Sequence, residues 1–408
     1  MELKQGYKQT EVGVIPIDWD LIMIGECLEF KNGLNKEKEY FGQGTPIVNY
    51  MDVYKYAGIR AKDLTGLVTL SNAEIKNYEV KKGDVFFTRT SETVDEIGVS
   101  TVALDEMVDT VFSGFVLRGR PKNDKIYLEF KKYCFTAAIV RKQIISTASY
   151  TTRALTNGHV LSNVLLPLPT KAEQTAIATA LSNIDELISQ TEKLIDKKKA
   201  IKQGFMQELF KPKEGWVTKK LGDVCDLKNG YAFKSETYDI NGELSIITIS
   251  NVQDGFLDLV DFVKISEPPI DLKEHHRLNI GDILISMTGN VGRICKVTIG
   301  NGLLNQRVGK LLPISIHPDF LFFYLLNGNF KKTMILNAVG GAQGNIGKGV
   351  ILDFVIHCPL NVSDQENISK IVGDIYSEIE TLESKLQKLK YQKQGMMQTL
   401  LTGKIRLL

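Results

Sequence analysis

The chain has 408 residues, 43% apolar and 24% charged, with 50 Lys and Arg against 48 Asp and Glu for a formal charge of +2. That is ordinary globular composition, enough for two or three domains, and a near-neutral total neither demands nor excludes nucleic acid, because a local basic face counts for more than the sum. Five scattered cysteines (Cys27, Cys134, Cys225, Cys295, Cys358) without a Cys-x-x-Cys pair argue against a disulfide framework or a zinc site. The opening Met1-Glu2-Leu3-Lys4-Gln5 has no apolar signal core and no run is long enough to span a bilayer, so a soluble, cytoplasmic protein is expected.

In chain order, the first half is repeated by the second. Trp19–Gly33 matches Trp216–Gly230, each with Trp-x5-Gly and each ending in Lys-Asn-Gly. Pro46–Val53 parallels Ser245–Val252. Lys82-Gly83-Asp84 with its strand Val85–Thr88 parallels Ile280-Gly281-Asp282 with Ile283–Ser286; Gly-Asp reads as a turn, the β-branched and aromatic run as a buried strand. Helical segments are expected over Ile126–Ser146 and Pro318–Val339, and the pairs Phe86-Phe87 and Phe322-Phe323 are expected in the core.

From Thr170 a long helix begins behind a capping box, Thr170-x-x-Glu173; Asn361-x-x-Asp364 is its weaker counterpart 191 residues on. The first copy carries Ile177, Leu181, Ile184, Ile188, Thr191, Ile195, Lys198, Lys202, Phe205 and Leu209 at alternating steps of four and three. In the second copy Ile368, Val372, Ile375, Ile379, Leu382, Leu386, Leu389, Lys393, Met396 and Leu400 fill the same slots. An a/d seam this long needs a partner helix, and the chain supplies one. A duplicated unit suggests a pseudo-two-fold axis, which makes the pair antiparallel and sets Thr191–Ile195 against Leu382–Leu386, with Lys198, Lys202 and Lys393 snorkelling outward. The run Lys193, Lys197, Lys198, Lys199 reads as a solvated or partner-facing surface. Lys211-Pro212-Lys213-Glu214-Gly215 stops the first helix, and Leu401-Thr402-Gly403-Lys404 does the same for the second. The expected fold class is therefore α+β: two similar globular units, 1–169 and 211–360, separated by two long helices, 170–210 and 361–408 with the tail, packed as an antiparallel coiled coil.

Catalytic signatures are missing from the sequence. Gly340–Gly349 fails as a phosphate loop, since position 342 is alanine and 349 glycine where the motif needs glycine and Ser/Thr. There is no Asn/Asp-Pro-Pro-Tyr/Phe and no GxGxxG after a strand. His275-His276 are adjacent and do not share a helix face, while His159, His317 and His357 are isolated, so no metal site is expected. Asp282, Gly292 and Arg293 form no acid–base constellation. The frame is repeated but its loops diverge: Arg89-Thr90-Ser91-Glu92 stands where Met287-Thr288-Gly289-Asn290 does. That pattern suits two recognition modules better than two catalytic copies.

The opening Gly6-Tyr7-Lys8-Gln9-Thr10-Glu11-Val12-Gly13-Val14-Ile15-Pro16-x-Asp18-Trp19 resembles the start of the specificity subunits of type I restriction–modification systems. So do both Trp-x5-Gly starts, the Gly-Asp strands, Glu173-Gln174 after Leu168-Pro169, and the helix ends Gln203–Gln207 and Gln394–Gln398. The resemblance covers essentially the full length. It implies a non-catalytic subunit in which each globular unit is a target-recognition domain reading half of a split double-stranded DNA site, with the helices as the ruler between halves. It also implies two modification (adenine methyltransferase) subunits and two restriction (translocase/nuclease) subunits as partners. S-adenosylmethionine, ATP and magnesium would belong to those partners, with no cofactor in this chain and no membrane partner. Asn361-x-x-Asp364-Gln365 departs from the family's more usual proline-rich Glu-Gln. The alternative is a coiled-coil adaptor that bridges two proteins without touching DNA.

Phosphate contacts need Lys, Arg and backbone N–H groups, and base reading needs Arg, Asn, Gln, Ser or Thr at groove depth. On that basis the first-domain candidates are Lys31, Arg89, Thr90, Ser91, Arg118, Arg120, Arg141, Lys142, Tyr150, Thr152 and Arg153. Those of the second are Lys228, Tyr231, Lys234, Thr288, Asn290, Arg293, Gln306, Arg307, Gln343, Asn345 and Lys348.

Overall fold

A computed structural model describes residues 5–150, 152–338 and 345–407. The chain forms two compact units, Met1–Glu192 with Ser384–Leu408, and Lys193–Glu383. Each long helix, Lys171–Leu209 and Val362–Leu400, therefore contributes one half to each unit.

In the first unit a mixed sheet runs in the order Leu28–Asn32, Val116–Pro121, Val85–Thr88, Ser100–Ala103, Gly58–Ile59. Its neighbours are antiparallel except the last pair, which is parallel. The apolar run Val85–Thr88 is buried along its whole length because both faces of the sheet are covered. Val85, Phe87, Val102 and Leu117 enter one core, and Phe86, Ala103 and Val116 the other, as a period of two requires. The second unit repeats this with Cys225–Asn229, Val308–Pro313, Ile283–Ser286 and Ile294–Lys296. There Ile283, Ile285 and Leu311 face one core and Leu284, Cys295 and Val308 the other. Phe86 and Phe87, like Phe322 and Phe323, are buried as their sequence suggests.

The repeated Gly-Asp has one physical use in both copies. Gly83 and Gly281 adopt φ of +87° and +93°, which only glycine takes without strain. The aspartate then caps its own turn: Asp84 accepts Lys81 N–H at 2.8 Å and Asp282 accepts Asn279 N–H at 2.7 Å. Each also pairs with a cation on the next strand, Arg120 at 2.8 Å and Lys310 at 2.5 Å. The two expected helical segments are each split, into Lys131–Cys134 and Ala138–Ser146, and into Pro318–Leu326 and Asn329–Ala338. Extended Ala137 breaks the first and Gly328, at φ +74°, the second.

Within each unit the two half-helices run antiparallel. Asp185 meets Lys393 at 2.6 Å and Glu192 meets Lys390 at 2.8 Å in the first; Lys199 meets Glu383 at 2.7 Å and Lys202 lies 4.3 Å from the Tyr376 ring in the second. The lysines at seam positions thus do more than snorkel. Lys393 and Lys198 reach carboxylates of the opposing helix, Asp185 and Glu378, over their own apolar stems. Ile177, Leu181, Ile184, Thr191, Ile195, Val372, Ile379 and Leu400 are buried, and Ile188, Leu209, Ile368, Ile375, Leu382, Leu386, Leu389 and Met396 half-buried.

Phe205 is the exception. It is 48% exposed, and Met206 is buried in its place. Here the helix leaves its partner's narrow seam and packs on the globular core, where Phe210 meets Phe320 and Tyr324 at ring distances of 5.4 and 5.7 Å. Packing on a broad core follows the 3.6-residue turn rather than the 3.5-residue seam, so the buried stripe moves one residue on.

The start of the first long helix also differs from the expected capping box. Thr170 Oγ1 accepts Glu173 N–H at 3.4 Å, but the Glu173 carboxylate does not return to Thr170. It is fully buried, accepting Trp19 Nε1–H at 2.7 Å and two hydrogen bonds from Arg406 at 2.6 and 2.8 Å. Arg406 also clamps Asp18, whose carboxyl it holds below the usual range, and the Tyr7 hydroxyl donates to Gly403 O at 2.8 Å. The tail is therefore built into the first unit. Gln174 and Gln365, by contrast, are true equivalents: each side chain accepts a backbone N–H (Tyr127, His317) and donates to the carbonyl of the proline before its helix (Pro169, Pro359).

Two outcomes are expected. Arg406→Met strands a buried carboxylate and should cost about 3–5 kcal/mol, and the R406M/E173Q double variant should lose less than the two single losses combined. Denaturant titration followed by the fluorescence of the two tryptophans reads both. Met206→Ala should cost about 2–4 kcal/mol and Phe205→Ala within about 0.5 kcal/mol; equal losses in thermal melts would contradict the shifted stripe.

Candidate nucleic-acid interface

Each unit brings three chain segments together at the end of its central strand. In the first, the Thr88 hydroxyl donates to Glu96 O at 2.7 Å and accepts Val99 N–H at 2.9 Å, closing the loop that follows. Arg89 N–H then reaches Phe115 O at 3.1 Å, and Thr156 N–H reaches Arg89 O at 3.0 Å. In the second, the Ser286 hydroxyl donates to Asn290 O at 2.5 Å and accepts Arg293 N–H at 3.0 Å. Met287 N–H reaches Arg307 O at 3.1 Å, and Ile346 N–H reaches Met287 O at 2.9 Å. The same junction is built twice from different residues.

The repeated Lys-Asn-Gly belongs to this junction. A Cβ on Gly33 would stand 2.1 Å from Ser113 O, and one on Gly230 2.1 Å from Asn305 O, so only glycine admits the crossing of the two backbones. The bridges Leu34–Ser113 and Tyr231–Asn305 follow directly. In the first unit a small sheet of Thr90–Ser91, Ala154–Leu155 and Ser149–Tyr150 lies beside the junction. A cleft of about 290 Å³ is lined there by Tyr50, Thr90, Ser91, Glu92, Glu96, Phe115 and Arg153.

The sequence-derived candidates divide by what already holds them. Arg118 is buried, donates to Glu79 O at 2.9 Å and lies over the Phe112 ring; Arg120 is committed to Asp84 and Glu79. Both are held within the unit, Arg118 enclosed and Arg120 half-buried. Ser91 is buried against Glu96, and Arg141 donates to Ile97 O at 2.5 Å and Asp95 O at 2.7 Å, so these two shape the loop rather than lie at its surface. Lys31 donates to Asn77 O and Oδ1, both at 2.7 Å. Arg89 and Thr90 are half-buried at the junction, and Lys142, Tyr150, Thr152 and Arg153 are exposed.

In the second unit Lys228 and Lys348 share the Asp226 carboxylate at 2.7 and 2.8 Å and hold its carboxyl well below the usual range. Tyr231 donates to Asp271 at 2.7 Å, Arg293 to Gln253 at 2.7 Å, and Lys234 stands 3.8 Å from Glu236. Asn290, Gln306, Arg307 and Asn345 are exposed; Thr288 is half-buried with its hydroxyl unpaired among the described residues. Gln343 lies outside the described residues. Phe115 was not among the candidates, although aligning Ser113–Val116 with Asn305–Val308 would have marked it. Among the described residues no group of three His, Cys, Asp or Glu could hold a metal ion, and no helix is long and apolar enough to cross a membrane.

The model of the type I restriction modification DNA specificity domain matches residues 16–203 and again 213–391. The chain is 25% identical over 435 aligned residues to the type I restriction enzyme MjaVIII specificity subunit of Methanocaldococcus jannaschii, covering 99% of this chain and 96% of that one. A putative MjaX specificity subunit of the same organism is 26% identical over 99% of this chain and 97% of its own. In fold, the S subunit of a type I restriction–modification system from M. genitalium superposes with a TM-score of 0.61 at 16% identity, over 98% of each chain.

Proposed function

Because the chain belongs to the family of type I restriction modification DNA specificity domains, and is a specificity subunit that recognises DNA sequence, we propose that its two units each read one half of a split site. The observation that carries this reading is the twice-built junction with unlike residues at its tip. A common frame lets two targets differ without altering the fold that presents them.

The reading assigns no bond-breaking step to this chain. It docks two adenine methyltransferase subunits, and the assembly takes up two restriction subunits; S-adenosylmethionine, ATP and Mg²⁺ serve those partners, in the cytoplasm. The chain's own work is to hold polar side chains at the floor of a groove and cations along the phosphates. In the first unit Lys142 and Thr152 are exposed for phosphates, while Arg153 in the cleft and Arg89 and Thr90 at the junction stand near base edges. In the second unit Asn290, Gln306, Arg307 and Asn345 fill the corresponding roles. The non-DNA adaptor reading is disfavoured by the second unit's exposed tip, where Asn290, Gln306, Arg307 and Asn345 carry hydrogen-bonding chemistry rather than an apolar contact patch.

Co-expression with a cognate modification subunit, followed by mapping of methylated adenines on genomic DNA, should return a bipartite motif with an unspecified gap. Random or absent methylation would remove the reading. The helices offer a second test. Inserting seven residues at the matching seam position of both helices adds about 10 Å of rod, or about three base pairs of duplex. The half-sites should stay as they are and the gap should lengthen by about that amount; an unchanged gap would mean that helix length is not the ruler.

A further inference from the structure

The turns Ser113–Val116 and Asn305–Val308 are equivalent at every backbone contact that defines them. Each closes with a bond from its fourth N–H to its first carbonyl, at 3.1 and 2.9 Å. In each, the first side chain accepts the N–H of the third residue, from Phe115 to Ser113 Oγ and from Arg307 to Asn305 Oδ1, both at 3.3 Å. The third residue's carbonyl is in turn the acceptor for Arg89 or Met287. Everything that positions the turn is shared. What differs is the tip, Gly114-Phe115 in one unit and Gln306-Arg307 in the other.

Phe115 is 60% exposed at the cleft containing Thr90, Glu92 and Arg153. An exposed phenyl gains about 25 cal/mol for each Å² it covers, so it favours an apolar contact that the free protein does not provide. Glu92 and Glu96 beside it make the cleft a poor seat for a phosphate and a better one for a base edge. In the major groove the apolar feature is the C5-methyl of thymine, whereas a guanidinium pairs bidentately with guanine O6 and N7. Arg307 is exposed, and its guanidinium makes no hydrogen bond or ion pair among the described residues.

We propose that the third residue of this turn is a specificity-determining position in each unit: Arg307 selects a guanine in one half-site, and Phe115 selects a thymine, through its methyl group, in the other. This rests on the split-site reading above and adds to it the residue and the base class. The cause is geometric, because one frame delivers two different side chains to the same place relative to their own domains.

The test uses the complex with its modification subunits and selects bound duplexes from a randomised library, with methylation mapping alongside. The wild-type selection is read first; if it yields no split sequence, the functional reading fails and this proposal goes with it. Given a split sequence, Phe115→Arg should replace thymine by guanine at one position of one half, with a preference on the order of tenfold or more. Phe115→Ala should leave that position degenerate, and Arg307→Phe should remove a guanine from the other half, the gap unchanged throughout. Both sites being exposed, thermal midpoints should match the wild type. Unchanged half-sites, both substitutions acting on the same half, or a folded complex that selects nothing would each overturn the proposal.

Discussion

A helix with a narrow apolar seam cannot leave that seam in water, and a single stripe 39 residues long has more of it than one globular core can cover. The duplicated helix answers this constraint by supplying its own complement. The consequence runs through the chain: each helix is shared between units, so each unit must be built from pieces distant in sequence. The first unit is closed by the last residues of the chain, where Arg406 neutralises the buried Glu173 and Tyr7 holds Gly403. Burying a carboxylate is unfavourable unless it is paired, which makes the far end of the chain part of the first unit's stability.

The frame was legible in the sequence because it rests on short-range rules that repeat. Gly-Asp reads as a turn in both copies, and the structure adds the positive φ and the self-capping aspartate. Lys-Asn-Gly stood out as a repeat, and the structure shows that it marks a backbone crossing that tolerates no Cβ. The heptad slots are buried or half-buried at every position but one, Phe205, where packing changes from a partner helix to a globular core and the repeat changes with it. Local rules could not foresee that change, since it depends on what the helix meets and not on its own composition.

The surroundings of the candidate contact residues were less legible for a related reason. A lysine or arginine in a predicted loop has the same letter whether it points at solvent or back at a carboxylate. Arg118, Arg120 and Arg141 carry the right chemistry for DNA, yet long-range partners at Glu79, Asp84, Asp95 and Ile97 engage them. Phe115 drew no expectation at all: nothing in its local sequence distinguishes it from a core aromatic, and only the tertiary position of its turn shows that it is presented outward.

This separation of frame from tip explains how one fold can read unlike sequences. The hydroxyl of Thr88 or Ser286, the glycine at 33 or 230 and the turn-closing bonds at 113–116 or 305–308 all lie behind the tip and involve backbone atoms or small polar groups. A side chain at the tip contributes little to them, so it can be exchanged without altering the positions of its neighbours. Stability therefore places few demands on the residues at 115 and 307, which leaves those two positions open to be set by whatever each unit contacts.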